Sequence, residues 1–149
     1  MNTQNFTSAN FGDIKADLKA QLPERLIHRN VENDKANATF SAERKHPVYI
    51  IDLPSNSISM TIGSLMPGGR SNRHRHTYET VAYILEGAGY SMIEDQKVEW
   101  RQGDAIYIPN WAWHHHVNAD PDKSARYLAC ENAPMLQNLG QLAIREEAK

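Results

Sequence analysis

Five of the seven histidines fall in two tight groups, His74-Arg75-His76 and His114-His115-His116, while His28 and His46 stand alone. In an extended strand, side chains two positions apart share a face. His74 and His76 can therefore meet one ion while Arg75 points away, and His114, His116 and Asn118 share a face that His115 and Val117 do not. Two neighbouring strands would then offer three imidazoles to one divalent metal. Imidazole suits zinc, copper, iron and nickel, and three protein ligands leave positions open for water, substrate or dioxygen. The bland alternative is that such histidines are solvated strand residues, and it loses ground because the second cluster repeats the parity of the first.

Strands must carry these groups, and the chain after Pro47 supplies them. Short apolar or alternating runs occur at 48–53, 58–65, 81–85, 89–93, 98–100, 105–108, 114–118 and 126–130, with turn signals at Glu94-Asp95, Gln102-Gly103 and Asp120-Pro121-Asp122. Many short strands without long helices between them indicate an antiparallel sandwich or barrel. Ahead of them, Ile14, Leu18, Leu22 and Leu26 recur at four-residue steps, which predicts a short helix within 11–29 that is interrupted or ends near Pro23. Residues 30–47 read as a covering loop with one edge strand around 38–40, and 134–149 as a loop with a short helix or strand. The expectation is one domain over 1–149: an N-terminal extension at 1–46, a barrel core at 47–131 and a C-terminal extension at 132–149.

A length of 149 residues suits a single hydrophobic core. A net charge of -2 and the lack of a basic stripe argue against nucleic acid or anionic membrane as partner. The polar N-terminus and the lack of any long apolar run point to the cytoplasm. Cys130 is the single cysteine, so no internal disulfide can form. Exposed edges of small antiparallel sheets are commonly covered, which predicts a homodimer.

Two segments carry a family resemblance, GGRSNRHRHTYETVAYILEG at 68–87 and GDAIYIPNWAWHHHVN at 103–118, separated by fifteen residues. They resemble the paired motifs of the cupins, which implies an all-β fold, an antiparallel jelly-roll barrel, with metal ligands at His74, His76 and His114. Where many cupins place a ligating glutamate, this chain has Thr80, with Glu79 one position early. An ordinary strand turns Glu79 away, and a β-bulge would bring it back. Trp111 stands where many cupins have a turn glycine. The missing glutamate and the wording of both motifs resemble the gentisate 1,2-dioxygenase branch, whose longer chains commonly carry two cupin domains.

The resemblance implies iron(II), with manganese, nickel, zinc or cobalt as alternatives. Three neutral ligands leave the ion's charge intact and favour a small substrate that chelates through two oxygens, with dioxygen as co-substrate. His116, Glu79 and Tyr83 are the candidate catalytic groups. His116 suits either proton transfer or a supporting hydrogen bond. Trp111, Arg70 and Asn118 are the candidate substrate contacts. Ring cleavage by a dioxygenase leads; a non-redox lyase or isomerase and a small-molecule-binding module without catalysis are the competing readings.

Overall fold

A computed structural model describes residues 19–33 and 37–149. Among these residues, ten strands form two five-stranded antiparallel sheets: β1 (Val48–Ile50), β2 (Ser59–Leu65), β3 (His74–His76), β4 (Thr80–Glu86), β5 (Ala88–Ile93), β6 (Gln96–Arg101), β7 (Ala105–Ile108), β8 (His114–Asn118), β9 (Ala125–Glu131) and β10 (Arg145–Glu147). One sheet runs β1-β2-β9-β4-β7 and the other β10-β3-β8-β5-β6. The arrangement is a jelly-roll sandwich rather than a closed barrel, because β1, β7, β10 and β6 remain sheet edges.

Alternation along the strands builds the core. On β4, Thr80, Ala82 and Ile84 are buried while Val81 and Tyr83 are exposed. Leu65, Ala82, Ile84, Ile106 and Ala125 from one sheet close on Trp100 from the other.

Gly89 on β5 shows how tightly the ligand-bearing sheet is packed. A β-carbon there would lie 2.0 Å from the Val117 carbonyl oxygen and 2.6 Å from the Trp100 ring. Gly89→Ala is therefore expected to lower stability by about 1–3 kcal/mol, the usual range for overpacking, and urea unfolding would measure it. An unchanged unfolding midpoint would show that β5 and β8 can separate freely.

Two expectations about the extensions need correction. Residues 11–18 of the predicted N-terminal helix lie outside the described residues, and 19–29 form no helix. Leu22 and Leu26 are strongly exposed, so their part of the apolar stripe is not buried against any of the described residues. The edge strand expected around 38–40 is instead the start of α1 (Ala38–Arg44). Alanine, glutamate and arginine favour that helix, and left-handed Lys45 ends it by donating its N–H to the Ala42 carbonyl. Ser41 exchanges hydrogen bonds with both backbone groups of Val48, and the Asn37 side chain accepts from the Ile50 N–H, so α1 is fixed to β1. The tail supplies α2 (Ala133–Asn138) and then β10.

Candidate metal centre

His74 on β3 lies directly across from His114 on β8, and His76 follows on the same face of β3. The ring centroids are 4.2 Å apart for His74 and His114, 4.8 Å for His76 and His114, and 5.8 Å for His74 and His76. One nitrogen from each ring falls within 4.8 Å of the others, so the three could hold one metal ion.

Each ring is aimed by its own backbone. Nδ1 of His74 bonds the Asn72 carbonyl at 2.8 Å, that of His76 the Tyr78 carbonyl at 2.7 Å, and that of His114 the Ala112 carbonyl at 2.9 Å. A carbonyl oxygen only accepts, so each Nδ1 must carry the proton and each Nε2 keeps its lone pair for a ligand role. Burial holds His76 and His114 down at about 4 and pushes His74 lower still, so all three are neutral at physiological pH. The donor set thus fits a borderline divalent ion such as iron(II) or zinc.

His116 lies one step deeper, its centroid 5.7 Å from that of His114. Its Nδ1 is 2.7 Å from Ser91 Oγ, which also accepts a hydrogen bond from the Trp100 indole at 3.0 Å. Burial pushes His116 down to about 3. Tyr127 packs on it, and the Tyr127 hydroxyl bonds Nε2 of His46 at 3.2 Å. His46, His116 and Tyr127 line one pocket between the sheets with the three ligand candidates, together with Arg44, Tyr78, Thr80, Glu131 and Arg145.

Several expected site residues are elsewhere. Glu79 turns outward: its carboxylate accepts from the Tyr107 hydroxyl at 2.5 Å and from the Asn132 amide at 3.3 Å. The one irregularity in the pairing of β4 with β9 falls between Ile84 and Glu86, at the far end of β4 from Glu79, and so cannot re-aim it. Tyr83 projects to solvent from the outer face of β4, which removes it with Glu79 from the catalytic candidates at this pocket. Glu79→Gln is expected to leave metal affinity within about twofold, the change a distant surface residue makes, and a competitive chelator titration would test it.

Arg70 is exposed and bridges Val117 through its backbone. Trp111 lies outside the pocket too, under the guanidinium of Arg75 at 4.2 Å. Its φ of 63° is the left-handed conformation that a turn glycine would supply. Asn118 is buried but spends its amide on the backbone carbonyls of Leu65, Met66 and Lys123, anchoring loops rather than contacting the pocket. Sequence reasoning missed Arg44, His46, Tyr127, Glu131 and Arg145. For Tyr127 and Glu131 the alternation of β9 was a usable signal; for Arg145, on a three-residue strand in the tail, there was none.

A family model described as "Cupin domain" matches residues 61–130, the span that carries all three ligand candidates. Residues 61–130 are a cupin domain. The chain is 34% identical over 84 residues to the 5-aminosalicylate 1,2-dioxygenase of a Comamonas species, a match that covers 56% of this chain and 21% of that one. It is 30% identical over 131 residues to gentisate 1,2 dioxygenase 1 of Aquipseudomonas alcaligenes, covering 82% of this chain and 38% of that one. The chain therefore spans about a fifth to two fifths of the length of these curated relatives. A crystal structure of salicylate 1,2-dioxygenase from Pseudoaminobacter salicylatoxidans, in adducts with gentisate, matches with a TM-score of 0.64 at 18% identity. It covers 76% of this chain and 35% of that one, and at such identity the likeness concerns the fold.

Proposed function

We propose that this cupin is an iron(II)-dependent dioxygenase that opens the ring of a small hydroxylated aromatic acid. The observation that carries the reading is a face of three neutral imidazoles opening into a pocket that also holds two guanidiniums. His74, His76 and His114 would hold the ion, which when bound supplies a site for chelating oxygens and the electron path to dioxygen.

The chain's own groups do the rest. Arg145 lies opposite His76 across the β10–β3 pair and lines the pocket, so its charge stands beside the ligand face. Arg44 reaches the same pocket from α1, its guanidinium over the Phe40 ring at 4.7 Å. Burial and the neighbouring Arg145 lower its pKa, a sign that two cations share this space and would gain from an anion between them. A substrate carboxylate meets that need. Thr61, Ala82, Ile108 and Ala129 give the pocket a wall of small and apolar side chains on which a ring can lie. His116 is positioned beside His114 to hydrogen-bond a reacting oxygen, with Ser91 fixing the orientation of its ring.

The names of the relatives define the first panel of substrates: salicylate, gentisate and 5-aminosalicylate. Protein reconstituted anaerobically with iron(II) is expected to take up oxygen with at least one of them while the ring absorbance is lost. Metal analysis of protein purified without added metal would check the assignment of iron against manganese, nickel, zinc and cobalt. Bound metal with no oxygen uptake on any hydroxylated aromatic acid would sink the proposal, and turnover without oxygen would place the cupin among Lewis-acid enzymes instead.

A further inference from the structure

Among the described residues that line the pocket, Glu131 is the single acidic side chain. It ends the inward-facing series Tyr127, Ala129 and Glu131 on β9, and its neighbours on either side in the sheet are Ser59 on β2 and Thr80 on β4. It is not one of the three ligands within reach of a common ion.

The bonding of Glu131 is incomplete. Thr80 donates to it from 3.4 Å, a long contact, and Ser59 offers a second hydroxyl. A carboxylate has about four acceptor sites, and no salt bridge to Glu131 exists among the described residues. The other carboxylates near the ligand strands are engaged elsewhere, Glu79 with Tyr107 and Asn132, Glu94 with the Trp113 N–H, Glu146 with Arg75, and Glu147 with Arg145 and Asn72. Burial raises the pKa of Glu131 even though Arg44 and Arg145 pull it down. A half-paired carboxyl group in a pocket gains most from a donor that arrives with the ligand.

We propose that Glu131 is the specificity residue by which the pocket reads a hydrogen-bond-donating substituent on its substrate. The substrate class narrows accordingly to aromatic acids that chelate the metal and also carry an amino or hydroxyl group away from the chelating oxygens. This rests on the metal-pocket reading above, but it assigns a residue and a substituent which that reading leaves open.

Calorimetric titration without oxygen separates the two. Wild-type, Glu131→Gln and Glu131→Val proteins, each loaded with cobalt(II), are titrated with salicylate, gentisate and 5-aminosalicylate, and metal-free protein is the control. Wild type is expected to bind the two donor-bearing acids about tenfold more tightly than salicylate, the scale of one hydrogen bond to a charged group. Glu131→Val should abolish that preference, and Glu131→Gln should retain part of it through its amide oxygen. The valine variant keeps a strand-favouring residue, and the glutamine variant guards against misfolding. Metal-dependent salicylate binding with no preference in wild type, a preference that survives in Glu131→Val, or equal weakening of all three ligands would each overturn the assignment alone. Failure of every ligand to bind in a metal-dependent way would overturn the pocket's proposed function along with it.

Discussion

His114→Ala is expected to lower metal affinity by more than about 100-fold, because even residues that merely support a ligand commonly cost 10–100-fold when removed. His114 is the only one of the three candidate ligands on β8, and its ring is the near neighbour of both others, at 4.2 Å from His74 and 4.8 Å from His76. Without it, two nitrogens from a single three-residue strand remain, and no preformed face encloses the ion. His116 cannot step in, since its ring is buried one position deeper and its Nδ1 is already against Ser91. Oxygen uptake should fall in step with lost metal. Competition with a chromogenic chelator under anaerobic conditions would measure the affinity, and far-ultraviolet circular dichroism would confirm that the sheets persist. Wild-type affinity in a folded His114→Ala protein would place the metal elsewhere.

This site was legible because its geometry is local. The two-residue period of a strand is enough to put His74 with His76, and His114 with His116, and the burial along β8 alternates as that period requires. Most strands were legible because short runs between turn signals mark them, and β2, β5, β7, β8 and β9 match the runs at 58–65, 89–93, 105–108, 114–118 and 126–130 to within a residue at each end. Pairing across the sandwich is not local. That Arg145 lies opposite His76, or that Glu131 sits between Ser59 and Thr80, depends on a register between segments that are distant in sequence. Glu79 was a misleading candidate for a related reason. Its place in the motif says that a carboxylate is near the ligands, whereas strand parity and the hydroxyl of Tyr107 decide which way it faces. Helix α1 was misread because residues 37–45 carry too few apolar positions to show a period, and its stability comes from the hydrogen bonds of Ser41 and Asn37 to β1.

Arg145→Met should separate substrate binding from metal binding, weakening the first without weakening the second. Arg145 uses one Nη1 donor on Glu147, so most of its five N–H groups remain for a ligand. Losing a charged hydrogen bond worth about 1.5–3 kcal/mol would lower kcat/KM for an aromatic acid by about 10- to 100-fold, mostly through KM. The same guanidinium also disfavours positive charge at the ligand face, since its field contributes to the depressed pKa values of His74, His76 and His114. A divalent ion feels that field with the same sign. Metal affinity in Arg145→Met should accordingly stay equal or rise slightly while substrate affinity falls. Arg44→Met should weaken substrate binding in the same way, and the double variant should lose less than the two single losses combined, because both cations face one anion. Parallel loss of metal and substrate affinity in Arg145→Met would mean that β10 acts by holding β3 in place, and that the carboxylate is bound by other groups.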